Sequence, residues 1–367
     1  MTESNARPKR IAINTGGGDA PGLNAVIHST VLSALNLGWE VVGIQKGYEG
    51  LFSSDGLIPL GRSSVHDIAR LGGTILGTTN RGNPLAWPQP QPDGSVRLVD
   101  RSGEIVKAFR KRDLDALVAI GGDGSLRIAA ELHEKGLPVV GVPKTIDNDL
   151  AATDITFGFH TAVQTASDAV DKLRATAQAH ERVMVVEVMG RHTGWIALYA
   201  GLAGGADAIL IPEIPYEPEA VAQRIRDRYQ EGPRYSIVVV AEGAHARGGE
   251  PVFKAKGEPG ANPRYGGIAE VVAGFLEEAT GFETRALTLG HLQRGGQPTA
   301  YDRLLSLEFG AAAVDLIRDG CFGCMVALRS PGIEAVPLSA AVEEVKSVPL
   351  DGQVVRTARR LGISFGD

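Results

Sequence analysis

Short apolar runs rich in valine and isoleucine recur along the chain with helix-length stretches between them, which narrows the fold more than any other feature. The runs are Ile11–Asn14, Val41–Ile44, Ala116–Ile120, Val139–Val142, Val183–Val188, Ala208–Ile211, Ser236–Ala241 and Leu287–Leu289. They do not alternate apolar with polar residues, as strands exposed on one face would; strands covered on both faces of a parallel sheet read this way. Between the first two runs, Leu23, Val26, Ile27, Val31, Ala34 and Leu35 share one helical face, and Gly38 stops the helix. Strand–helix alternation implies doubly wound α/β layers with right-handed crossovers. At 367 residues the chain is long for one core. Two doubly wound three-layer α/β/α domains are therefore expected.

Two stretches break the rhythm. Leu85 to Gly103 follows Pro84 and contains Pro88, Pro90 and Pro92, and reads as a surface excursion. His245 to Arg264 is Gly-rich and charged, and reads as a loop. The cysteines number two, in Cys321-Phe-Gly-Cys324, with no second pair to complete four zinc ligands. They are expected to be reduced thiols. A net charge of −6 argues against nucleic-acid and acidic-membrane partners. Met1 to Arg10 is polar, and no run approaches the roughly 18 apolar residues of a membrane span, so a cytoplasmic location is expected.

Three motifs follow strands and carry chemistry. Asn14-Thr-Gly-Gly-Gly-Asp-Ala-Pro-Gly-Leu-Asn24 places glycines where backbone can approach a ligand and a helix N-terminus can face an anion. It is neither GxGxxG nor a Walker loop. Gly121-Gly-Asp-Gly-Ser125 repeats the Gly-Gly-Asp element and sets Asp123 between glycines, suited to Mg²⁺ beside phosphates. Pro143-Lys-Thr-Ile-Asp-Asn-Asp149 gathers Thr145, Asp147 and Asp149 after a buried run, so one carboxylate can act as base and another on a metal. That combination belongs to phosphoryl transfer. Arginines collect after later strands: Arg182, Arg191, Arg285 and Arg294, suited to a sugar phosphate. Glu242 follows Ile237–Val240 and is placed either to bind a sugar hydroxyl or to form a strand-end salt bridge. His28 sits mid-helix and reads as a packing or surface histidine.

Together these motifs, with Glu187-Val-Met-Gly-Arg191, Ala241-Glu-Gly243 and Leu289-Gly-His-Leu-Gln-Arg-Gly-Gly296, resemble the 6-phosphofructokinases over nearly the whole chain. The resemblance implies an ATP:fructose-6-phosphate 1-phosphotransferase that makes fructose 1,6-bisphosphate. By the same resemblance Asp147 takes the proton of the C1 hydroxyl, and Asp123 and Asp149 hold Mg²⁺. Gly18, Arg81, Gly122, Asp123, Gly124 and Ser125 line the nucleotide phosphates. Thr145, Ile146, Met189, Gly190, Arg191, Glu242, His291 and Arg294 contact the sugar phosphate. Arg182 and Arg285 enter from a neighbouring subunit, which implies a homo-oligomer, dimer or tetramer, with shared sites. The nucleotide lobe is expected at 1–158 plus about 293–343, and the sugar-phosphate lobe at 159–292 plus about 344–367.

The donor rests on Gly124 and Lys144. Pyrophosphate-using members carry an aspartate where Gly124 stands, which crowds the nucleotide's α-phosphate, so ATP is expected. Lys144 occurs in both donor classes, and the mixture resembles the mixed-substrate subgroup. Two departures stand out. Asn80 takes the place of an arginine that helps the transferring phosphoryl group in familiar bacterial enzymes, with Arg81 following it. His28 and Leu32 replace effector-site arginines on the first helix, so control by ADP or phosphoenolpyruvate is not carried over. The rival readings are a pyrophosphate-dependent phosphotransferase, a kinase of NAD or lipid acceptors, and a non-catalytic nucleotide sensor.

Overall fold

The structure is a computed structural model that describes residues 9–79, 82–255 and 264–367. The chain opens with β1 (Arg10–Thr15), α1 (Leu23–Asn36), β2 (Glu40–Ile44), β3 (Leu57–Pro59) and the hairpin of β4 (Trp87–Pro90) and β5 (Val96–Val99). There follow α2 (Ser102–Lys111), β6 (Ala116–Gly121), α3 (Asp123–Glu134), β7 (Val139–Thr145) and the short β8 (Phe157–Gly158). Next come α4 (Phe159–His180), β9 (Val183–Val188), α5 (Trp195–Ala203), β10 (Ala208–Leu210), α6 (Pro218–Gln230) and β11 (Ser236–Ala241). Then β12 (Phe253–Ala255) pairs with β13 (Arg264–Tyr265) ahead of α7 (Ile268–Thr280) and β14 (Thr284–Thr288). The chain closes with α8 (Ala300–Arg318), β15 (Cys324–Arg329), β16 (Gly332–Pro337), α9 (Leu338–Val342) and α10 (Gln353–Arg360).

The chain divides into two compact units. The first comprises Met1–Thr145, Leu150–Gly158 and Gly295–Glu344; the second comprises Ile146–Asp149, Phe159–Arg294 and Val345–Asp367. The first unit holds a sheet in the order β16-β15-β7-β6-β1-β2-β3. Its strands from β15 to β2 run parallel, and β16 and β3 close the edges antiparallel. Strand alternation sends Ile11 and Ile13 to the face covered by α1 and α8, and Ala12 to the face covered by α2, α3 and α9. Both faces are apolar, which is why the runs lack alternation. Helices α1 and α8 cross closely at Gly310, where a Cβ would lie 2.6 Å from the Val26 carbonyl oxygen.

In the second unit β10-β11-β9-β14 form an all-parallel sheet. One face packs Val183, Val185, Val238 and Val240 against α6 and α7. On the other, Gly201 of α5 lies against Ile209 and Val239 with no room for a side chain.

Several expectations are corrected here. The Leu287–Leu289 run belongs to a strand that starts earlier, at Thr284. It is an edge strand with Arg285 and Leu287 exposed, so its apolar stretch is only part of it. The proline-rich excursion contains the β4–β5 hairpin, and the Gly-rich segment contains β12 and ends at the first residue of β13. Strand β15 starts at the second cysteine. The Cys324 thiol, pushed up to about 12 chiefly by burial, donates to the Cys321 carbonyl at 2.9 Å; both cysteines are free. His28 donates through Nδ1 to the Val65 carbonyl at 2.7 Å. Among the described residues no helix is long and apolar enough to cross a membrane.

Candidate active site

In the first unit the chain leaves β1 for β2 on one side and returns at β6 on the other. Such a reversal opens a ligand crevice at the carboxyl ends of the two strands. Both glycine turns sit there. Thr15 is in register with Ile120, and Gly16 N–H donates to the Ile120 carbonyl at 2.9 Å. Ser125 fills the space between the turns: a Cβ on Gly121 would lie 2.2 Å from its Cβ, and one on Gly16 would lie 2.6 Å from its Oγ. Only glycine permits this approach. Thr78 Oγ1 donates to the Gly17 carbonyl at 2.5 Å and fixes the first turn from outside.

The second turn runs into a helix. Gly122 is the N-cap of α3 and Asp123 its first residue, so the unpaired N–H groups and positive dipole end of α3 favour an anion. Asp123 Oδ1 accepts from Arg127 at 3.0 Å, one turn on. Gly124 is exposed, and nothing lies within 4 Å of where its Cβ would be. Lys144, near the end of β7 and only 3% exposed, donates through Nζ to the Gly18 carbonyl. The adjacent Thr145 is also buried, and its carbonyl accepts from Thr156 Oγ1 at 2.7 Å. Gly18, Gly122 to Ser125 and Lys144 thus converge.

In the second unit, Ile146 is fully buried and Asn148 takes a left-handed backbone, φ 52. Thr193 Oγ1 donates to the Asp147 carbonyl at 3.3 Å. Strand β9 leads into Met189, Gly190 and Arg191. Glu242 N–H donates to the Val188 carbonyl at 2.9 Å and Gly243 N–H to that of Gly190 at 3.0 Å, so the ends of β9 and β11 are stitched together. The Arg191 guanidinium lies over the Tyr265 ring, 5.1 Å from its centroid.

The electrostatics of Glu242 report its neighbours. Burial pushes its carboxyl up to about 7, Asp147 and Glu187 add to the rise, and Arg191 and Arg294 oppose it. Asp147, Glu242, Arg191 and Arg294 therefore share one charged cluster. His291 lies exposed in the turn that leads to Arg294.

Arg182 and Arg285 lie elsewhere. They flank the starts of β9 and β14, where both pair with Glu283, at 2.9 and 2.5 Å. Arg191 and Arg294 lie beyond the opposite ends of those strands. A six-residue strand spans roughly 20 Å, so within one chain the two pairs cannot hold the same phosphate. Arg81 lies outside the described residues.

Four supporting residues escape a motif reading. Glu187, 2% exposed, accepts from Gly267 N–H at 2.9 Å and Ala269 N–H at 3.1 Å, which caps α7. Gln293, fully buried, accepts from Met189 N–H at 3.2 Å and donates to Gly290 O at 3.1 Å. Glu213 accepts from Gly194 N–H at 3.0 Å and Val348 N–H at 2.9 Å, its carboxyl raised by burial. Lys346 donates to Asn148 Oδ1 at 2.9 Å. Glu187 and Gln293 lie inside quoted motifs, and for Glu187 a charged residue within an apolar run was the available signal.

A family model described as phosphofructokinase matches residues 10–317. An ATP-dependent 6-phosphofructokinase of Chloroflexus aurantiacus is 52% identical over 362 residues, 99% of each chain. A pyrophosphate–fructose 6-phosphate 1-phosphotransferase of Amycolatopsis methanolica is 49% identical over 344 residues, 93% of this chain and 96% of the other. The crystal structure of Pichia pastoris phosphofructokinase in the T-state matches with a TM-score of 0.80 at 30% identity. That match covers 98% of this chain and 37% of the much longer yeast chain. With its glycine turns, its aspartate loop and these relatives in agreement, the chain belongs to the phosphofructokinase family.

Proposed function

We propose that the chain is an ATP-dependent 6-phosphofructokinase, transferring the γ-phosphoryl group of ATP to the C1 hydroxyl of fructose 6-phosphate. The products are ADP and fructose 1,6-bisphosphate, as in glycolysis, and the setting is cytoplasmic. The observation that carries this reading is the cluster of Asp147 and Glu242 with Arg191 and Arg294. It joins a base to the cations an anionic sugar phosphate needs. Asp147 takes the hydroxyl proton as the oxygen attacks phosphorus. Arg191 and Arg294 hold the 6-phosphate, with His291 and the Met189–Gly190 backbone beside them. Glu242 binds a sugar hydroxyl, and Thr145 donates to a phosphate.

On the nucleotide side, the N–H groups of Gly122 to Ser125, together with Gly18, hold the phosphates at the start of α3. Gly124 leaves space for an α-phosphate, which favours ATP over pyrophosphate. Mg²⁺ is the cofactor this reading calls for. Asp123 and Asp149 offer the hard carboxylate oxygens it prefers, Asp123 on a half-exposed side chain and Asp149 with a buried Oδ1. When bound, the metal neutralises charge on the phosphates.

The opposed ends occupied by Arg182 and Arg285 support a homo-oligomer in which these two residues serve a neighbour's site. The pyrophosphate-dependent activity remains the second reading, favoured by the Amycolatopsis relative at 49% identity. Fructose 1,6-bisphosphate formation measured side by side with MgATP and with magnesium pyrophosphate decides between them. ATP turnover at least tenfold faster is expected, and pyrophosphate turnover that matches or exceeds it would reverse the assignment.

A further inference from the structure

Residue Asn148 stands between the two aspartates of the Asp147-Asn148-Asp149 loop, and its φ of 52 is left-handed. Asparagine enters that region more readily than other non-glycine residues, yet the turn still has to be held in place by its surroundings. Asn148 is 1% exposed, so whatever holds it is protein. The holder comes from nearly 200 positions later, in the segment that leads into α10.

Lys346 grips the loop with its main chain and its side chain. Its N–H donates to the Asp149 carbonyl at 2.9 Å, and its Nζ donates to Asn148 Oδ1 at 2.9 Å. Its own carbonyl accepts from Trp195 Nε1 at 2.8 Å, and its ammonium lies 5.7 Å from the centroid of the Trp195 ring. The segment is anchored again two residues on, where Val348 N–H donates to Glu213 Oε1 at 2.9 Å. Glu213 also receives Gly194 N–H, one residue from Thr193, whose Oγ1 donates to the Asp147 carbonyl. Loop, start of α5 and segment 345–348 are therefore bonded into one body.

We infer that Lys346 is a positioning residue for the phosphoryl-transfer step, fixing the left-handed turn at Asn148 and through it the direction of the Asp147 carboxylate. Lys346 acts through Asn148 and is no proton carrier. Arg191, Arg294 and Glu242 are held by different contacts, at the ends of β9 and β11 and by Gln293. Loosening the loop therefore misaligns the base while these three acceptor contacts stay in place. This inference rests on the proposed function, since it presumes that Asp147 is the base.

The test is steady-state kinetics of full-length Lys346→Met and Lys346→Arg beside the parent, with MgATP and fructose 6-phosphate, plus calorimetric binding of fructose 6-phosphate. Misplacement of a reacting group by about 1 Å costs on the order of 100-fold in rate, so kcat of Lys346→Met should fall roughly 10- to 100-fold. KM and Kd for fructose 6-phosphate should stay within about threefold. Lys346→Arg keeps the donor and should recover kcat to within about fivefold of the parent. Asn148→Gly tolerates the left-handed turn, lacks the acceptor and leaves Lys346 in place. It should repeat the kcat loss, and it decides the matter if Lys346→Met does not fold. An active parent with unchanged kcat in Lys346→Met, or in Asn148→Gly where Lys346→Met does not fold, overturns the inference alone. A parent inactive with both ATP and pyrophosphate overturns the proposed function and the inference with it.

Discussion

The Lys144 ammonium donates to the Gly18 carbonyl oxygen at 2.5 Å, which ties the end of β7 to the first glycine turn. Lys144 is thus a brace for the first glycine turn as well as a positive charge beside it. A buried charge-assisted hydrogen bond contributes about 1.5–3 kcal/mol, and domains of this size move roughly 2–4 °C in Tm per kcal/mol. Lys144→Ala should lower Tm by roughly 3–12 °C in calorimetry and raise KM for the phosphoryl donor about tenfold, with a smaller change in KM for fructose 6-phosphate. An unaltered melting curve would remove the brace from the account.

Gly124 allows a test of the donor that does not confound fold with function. Nothing surrounds the position of its Cβ, so Gly124→Asp should fold with Tm within about 2 °C of the parent. The new carboxylate would face an incoming α-phosphate, and ATP turnover should drop at least 30-fold by coupled assay. Persistent ATP use at the parental rate would sink the donor assignment.

Asp147→Asn keeps the size of the side chain and removes the proposed base. General-base catalysis contributes about 10²–10⁴-fold, so kcat should fall by that factor while calorimetry still detects fructose 6-phosphate. A variant that retained more than a tenth of parental kcat would leave the proton without its assigned acceptor.

Glu242 carries a pH signature. Its carboxyl is pushed from the ordinary 4.5 up to about 7 by burial and by Asp147 and Glu187. Between those pH values the native state holds the proton and the unfolded chain does not, so this group loses stability for the fold as pH rises. The loss is complete above about pH 7 and amounts to at most roughly 3 kcal/mol. Glu242→Gln should therefore raise Tm at pH 8 and give little or no gain at pH 5. A gain of equal size at both pH values would contradict the buried-carboxyl explanation.

Shared sites can be tested by complementation. Arg182→Ala and Asp147→Ser homo-oligomers should each be nearly inactive, by at least about 20-fold. If Arg182 serves a neighbour, dissociating the two together and reassociating them should restore part of the activity, because some sites then draw both intact residues from different chains. Ultracentrifugation reports the assembly in parallel. A monomeric, fully active parent would dismiss the arrangement.

The central strands were legible because burial on both faces leaves mainly valine, isoleucine, leucine and alanine to choose from, as in Ala116–Ile120. The edge strand β14 was read only in part, since Thr284, Arg285 and Thr288 answer to one buried face and one exposed face. Strand β15 was masked by the cysteine spacing that precedes it. The glycine turns and the aspartate loop were legible because their chemistry is local. Glu187, Glu213, Gln293 and Lys346 were not, because each acts across tens to hundreds of positions, as Lys346 does on Asn148. Only the folded chain brings such pairs together.

Helix α1 buries its apolar face against α8, whose residues follow it by nearly three hundred positions, and β7 takes its outer neighbour from β15. During synthesis the first unit therefore cannot close when its own first strands emerge. Its nascent sheet must wait, with α1 and the flank of β7 uncovered, until the ribosome has delivered residues 300–329. By then residues 159–294, most of the second unit, have already left the tunnel. Residues 159–294 thus leave the ribosome before the N-terminal segment has met the partners that complete its sheet.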